Sequence, residues 1–144
     1  MARRDDWERR LDDVFVAALT KPFVWGEHDC AMFVADCVYA MTDVDCALPH
    51  FRGRYYTEIG AARRTREYCG GHIEKMAEKI ARDEGWPDIP VSTAGRGDVL
   101  LVNYELGQSL AIVSLNGKHA LAPSRDGGLI SVPRLNAVRA WRIK

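Results

Sequence analysis

The sequence has no excess of charge of either sign. Twenty Lys and Arg balance twenty Asp and Glu, for a formal net charge of zero. That removes the global positive field that draws proteins to phosphate backbones, so nucleic acid is not an expected partner. No stretch approaches the roughly 18 uninterrupted apolar residues of a membrane span. The opening MARRDDWERR is charged where a signal peptide needs an apolar run. Synthesis in the cytoplasm and no membrane span are therefore expected. Cysteine is sparse too: Cys30, Cys37, Cys46 and Cys69 do not form the dense framework of a small secreted domain, and free thiols are expected. There is no repeat and no low-complexity segment. With 144 residues, 47% of them hydrophobic, the chain matches a single domain, 1–144, around one core.

What is present divides near residues 87–97. Before that point the period is helical. Trp7, Leu11, Val14, Phe15, Ala18 and Leu19 mark an amphipathic helix over 5–20 that must end before Pro22. A second helix should start with Asp29 as N-cap, its carboxylate accepting from the free N–H groups of the first turn. Cys30, Phe33, Val34, Cys37, Val38 and Met41 then form one core face, opened by Cys30. Residues 43–54 read as a loop. Residues 57–69 and a helix from 73 to about 84, each closed by glycine, are expected to be peripheral. After Gly97 the period becomes two, and 98–102, 110–114, 119–122, 129–132 and 140–143 read as strands separated by turns, Asn116-Gly117 the sharpest. The expectation is an α+β fold, N-terminal helices packed on an antiparallel sheet of about five strands.

The stretch FVWGEHDCAMF concentrates the chemistry. A thiol becomes nucleophilic when its pKa falls, and a helix N-terminus lowers it through unpaired N–H groups and partial positive charge. Cys30 stands at such a position. A cysteine nucleophile also needs a base, usually His, brought from elsewhere in the fold and oriented by a third group. The other reading of Cys30, and the one kept for Cys37, Cys46 and Cys69, is a small buried hydrophobe.

Phe23-Val24-Trp25-Gly26, Asp29-Cys30 opening a helix, Gly97-Asp98-Val99 opening a strand, and the hairpin strand Leu110-Ala111-Ile112-Val113 resemble the NlpC-type branch of the papain-like cysteine peptidases. With Arg52-Gly53-Arg54-Tyr55, Gly128-Leu129, Val132-Pro133 and Ala140-Trp141-Arg142 added, the order is similar to an NlpC-like family common in tailed phages and prophages. The resemblance spans nearly the whole chain. It implies a papain-like NlpC-type fold and hydrolysis of peptidoglycan stem peptides, with no cofactor and no metal. It gives Cys30 the nucleophile role, Asp29 the cap, and the Cys30 backbone N–H a share of the oxyanion hole. Its expected partners are a peptidoglycan peptide and phage tail proteins, and its expected place is the virion tail during cell-wall penetration.

The departures are specific. Ala31-Met32 follows the cysteine where the superfamily usually has Ser-Gly, and Phe23 stands where it has an aromatic hydroxyl. The residue that matches the usual catalytic His, at the start of the strand, is Ser109. His119, across the Asn116-Gly117 turn, is the best substitute base, although pairing with Ser114 puts it on the face opposite position 109. Trp25, His28 and Ser109 are expected to line the substrate site; His50 and His72 are read as loop and surface residues. A zinc site from His28-x-Cys30 and Cys69-x-x-His72 fits no standard spacing. Two functions follow: a cysteine peptidase or amidase acting on stem peptides, or a structural tail-tip or assembly protein that keeps the fold and has lost part of its site.

Overall fold

The structure, a computed structural model, describes residues 2–47, 49–104 and 107–144. Helix α1 (Trp7–Ala18) buries Leu11, Phe15 and Ala18, the face its 3.6-residue period defines. It packs on α2 (Cys30–Thr42), where the Phe15 and Phe33 rings lie 6.1 Å apart. Asp29 caps α2 as expected, accepting from the Met32 N–H at 2.9 Å. The helix ends at Asp43, whose φ of 66° is the left-handed stop that a short polar side chain tolerates. Eight of its residues are buried, and α2 lies across the sheet. Helices α3 (Glu58–Cys69) and α4 (Ile73–Glu84) follow.

The sheet has six strands: β1 (Asp88–Ile89), β2 (Val99–Tyr104), β3 (Gly107–Val113), β4 (His119–Pro123), β5 (Leu129–Pro133) and β6 (Ala137–Trp141), in the order β1-β6-β2-β3-β4-β5 with every pair antiparallel. The fold is α+β, as expected, and the sheet of about five strands has six among the described residues, β1 being the strand not foreseen. β1 pairs only through Asp88 and Ile89 with Trp141 and Ala140, too short a segment to show a period of two. A correction concerns α4. It was expected at the periphery, but Met76, Ala77, Ile80 and Ala81 are buried in the main core, while α3 buries nothing.

Alternation divides the sheet into two faces. Val99, Leu101, Leu110, Ile112 and Trp141 meet the helices, and each such fully buried large side chain contributes about 1.5–3 kcal/mol. The opposite face is a separate cluster of smaller side chains, including Leu100, Val102, Ala111, Ala120, Ala122 and Ala140. Ile89 of β1 and Val132 of β5 both pack on it, so the cluster reaches from one edge strand to the other. Arg134 ties the ends together, donating from Nη1 to the carbonyls of Val91 and Ala94 at 3.1 and 3.0 Å.

Asp98 enters β2 as a buried carboxylate, 2% exposed. It accepts from the N–H groups of Gly95 (2.9 Å) and Ile143 (3.1 Å) and pairs with Arg3 at 3.1 Å. The Gly97-Asp98 landmark is thus a turn locked by one carboxylate.

Candidate functional site

Two of the stretches that carried the resemblance, Trp25-Gly26 and Arg52–Tyr55, meet at Asp29. Its Oδ1 accepts from Met32 N–H, and its Oδ2 accepts from Gly26 N–H at 2.9 Å and from the Tyr55 hydroxyl at 2.6 Å. One buried carboxylate therefore caps α2, closes the Trp25-Gly26 turn and holds the 52–55 segment. Gly26 has φ +82°, and a Cβ there would sit 2.0 Å from the Tyr55 carbonyl oxygen, so only glycine fits. The Gly53 N–H donates to the Gly26 carbonyl at 3.0 Å and completes the knot.

Cys30, the first residue of α2, is partly exposed and opens into a groove of about 360 Å³. Trp25, Tyr55, Ala31 and Phe51 form one side, α3 and α4 contribute Ala61, Thr65 and Met76, and Gln108 stands at the sheet end. Arg125 closes the rim. Its guanidinium lies 5.1 Å from the Trp25 ring and 3.3 Å from the Glu58 carboxylate.

Burial, and then the Asp29 charge beside it, push the Cys30 thiol above its ordinary value. The backbone N–H of Leu110, the Ser109 hydroxyl and the backbone N–H of Ala31 act in the opposite direction as donors, without reversing the shift. Ser109, 3% exposed, lies near the thiol at the place where the resemblance puts the catalytic His, and its hydroxyl donates to the Leu110 carbonyl at 2.9 Å. It lies beneath the groove instead of lining it.

His119 is not brought to Cys30. The register pairs β3 with β4 through Val113↔Ala120, and the Ser114 N–H donates to the His119 carbonyl. Cys30 meets the start of β3 at Ser109 and Leu110, five residues away, or about 17 Å at the strand rise of ~3.3 Å per residue. The His119 ring instead lies 3.2 Å from the Asn116 side chain. His28 is not in the groove either. It is 6% exposed, its ring packs edge-on to Phe33 at 6.1 Å, and neither ring nitrogen has a hydrogen-bond partner among the described residues. Burial, followed by the Lys21 charge, lowers its pKa. His72 is exposed on the groove rim, and His50 is an exposed loop residue whose ring stacks 4.7 Å from Tyr68. Among the described residues, no three His, Cys, Asp or Glu side chains converge as a metal site requires. The groove thus presents a positioned thiol, an apolar wall and an ion-paired rim.

Residues 2–143 match the family described as a domain of unknown function, DUF6950. The chain belongs to this family. No curated protein matches the DUF6950 chain. Among solved structures, it is similar to the crystal structure of the NlpC/p60 domain of the peptidoglycan hydrolase SagA, with a TM-score of 0.55 and 17% identity over 94% of this chain and 97% of that one. The likeness extends from end to end and shows that the DUF6950 chain has the NlpC-type fold.

Two groups of the site escaped the sequence reading. Tyr55 was quoted as a landmark, but its role as donor to Asp29 depends on a contact 26 residues away in the chain. The Arg125–Glu58 pair spans 67 residues and has no local signal.

Proposed function

We propose that this protein engages peptidoglycan stem peptides through the Cys30 groove, as a catalytically degenerate NlpC-type module of a phage tail that takes part in cell-wall penetration. It would be made in the host cytoplasm and carried in the virion beside other tail proteins. The fold shared with a peptidoglycan hydrolase domain supports the peptide as ligand, as does an open apolar groove long enough for an extended segment. The single observation that carries the degenerate reading is that the strand position of the usual His holds Ser109, its hydroxyl spent on the Leu110 carbonyl, while His119 sits at the far end of the hairpin. A serine hydroxyl takes no proton at neutral pH, and a general base in such a site contributes about 10²–10⁴-fold in rate. Burial and Asp29 together hold the thiol protonated.

A cysteine peptidase or amidase is the second reading, favoured by the placement of Cys30 at a helix N-terminus facing the groove. In it the Cys30 Sγ bonds to the amide carbonyl carbon while its proton passes to a base. The oxyanion is received by the Cys30 N–H, which has no acceptor within the helix. The C–N bond then breaks, the amine leaves with the proton, and water cleaves the thioester.

The two readings separate in one experiment. Iodoacetamide alkylation of Cys30 is followed against pH by mass spectrometry in wild type and Ser109→His, with cleavage of a synthetic stem peptide measured alongside. The wild-type thiol is expected to titrate above the roughly 8.5 of a free thiol and to cleave nothing, and Ser109→His to lower the titration. Wild-type cleavage that disappears in Cys30→Ala would sink the degenerate reading.

A further inference from the structure

Most arginines of this neutral chain lie against a carboxylate. Five form no ion pair among the described residues: Arg82, Arg134, which donates to backbone carbonyls, and three on or beside α3, Arg54, Arg63 and Arg66. All three are exposed, and none makes a side-chain hydrogen bond or ion pair among the described residues. Two of them face a second groove, of about 330 Å³, on the side of α3 turned away from Cys30. Arg54, Arg63 and Arg64 line it together with Tyr56 and Ile59. Arg64 donates to the His50 carbonyl at 2.7 Å, and the groove's one carboxylate, Glu67, is 3.9 Å from it. Tyr56 and Ile59 are 85% and 73% exposed, large apolar surface left beside unneutralised cations. α3 has no fully buried residue, and the exposed side chains of Arg54, Tyr56, Ile59 and Arg63 are left outside the core.

The two grooves border one residue in common: Tyr55 lines both, at the start of α3, with its hydroxyl fixed on Asp29. We propose that the basic groove is a carboxylate subsite for an acidic peptide that continues from the Cys30 groove over the start of α3, with Arg54 and Arg63 gripping its carboxylates. This deepens the stem-peptide reading and rests on it. Arginine's planar fork matches a carboxylate in a two-point bond, and Tyr56 and Ile59 take the apolar side chains between the charges. A phosphate polymer fits less well: net charge is zero, the cationic surface is short, and two of its prominent side chains are apolar.

The test is fluorescence anisotropy with two labelled synthetic stem peptides, one with free carboxylates and one with every carboxylate amidated. Wild type is expected to bind the acidic form about tenfold more tightly, with the difference shrinking in high salt. Arg54→Glu/Arg63→Glu is expected to lose that preference, to bind the amidated peptide as wild type does, and to melt at the same temperature. Equal wild-type affinity for the two forms, or undiminished binding of the acidic form by the double variant, would overturn the subsite while leaving the stem-peptide reading in place. No wild-type binding of either peptide would overturn that reading and the subsite with it. A short single-stranded oligonucleotide that binds more tightly than the acidic peptide would replace the peptide with a phosphate ligand and so overturn the proposal.

Discussion

Helices α2 and α3 are nearly equal in length, 13 and 12 residues, and start alike, with a side-chain cap on an N–H three residues on. They also end alike, on a residue with left-handed φ, Asp43 in one and Gly70 in the other. Yet eight residues of α2 are buried and none of α3 is. The caps differ in the same sense: Asp29 serves three donors from two segments, whereas Thr57 bonds only Gly60 N–H at an exposed end. Even the residues before the caps follow the rule, His28 at 6% exposure and Tyr56 at 85%. Local signals that form a helix therefore do not say what the helix is for. In α2 the side chains build the fold and the Cys30 end of the groove; in α3 Ala61, Tyr68 and Cys69 pack only partly buried on the core, while Ile59, Arg63 and Arg66 face outward.

The contrast breaks most visibly at the caps. Asp29→Ala should cost on the order of 4 kcal/mol, since it removes a cap and strands the Gly26 N–H and the Tyr55 hydroxyl in a buried place. Thr57→Ala should cost about 1 kcal/mol, because water replaces the lost oxygen. Urea unfolding of the two variants measures both, and equal losses would show that the knot around Asp29 is not what anchors α2. A smaller effect is confined to acid. The folded state holds the His28 pKa below its ordinary 6.5, so the unfolded chain binds the proton more readily. Stability should therefore fall as pH drops through 6.5 towards the lower folded value and be complete above it. His28→Phe should flatten that slope in thermal melts from pH 7 to pH 5. Smallest of all, Arg63→Ala and Arg66→Ala should leave stability within about 0.5 kcal/mol of wild type. A larger loss would mean that α3 is structural after all.

The difference between the helices also marks what the sequence could reveal. The start of α2 was legible because the cap and the apolar face are both local, and Ser109 was matched to the base position through the likeness of Ser109-Leu110-Ala111-Ile112 to the strand of the family it resembles. His119 shows how such reasoning falls short. Its register with Ser114 was read correctly, but register fixes a partner, and it is the rise along the strand that puts the imidazole at the wrong end of the hairpin. Tyr55 and Arg125 act through partners 26 and 67 residues away, and contacts of that span leave no periodic trace. Strand β1 was missed because a two-residue segment has no period.

The buried carboxylate of Asp98 also sets an order of events in time. Its partners are Arg3 and the Ile143 N–H, and β6 lies between β1 and β2. A chain emerging from the ribosome therefore holds an unmated β1 and one open side of β2 until β6 follows them out, so the centre of the sheet is the last part of this domain to close.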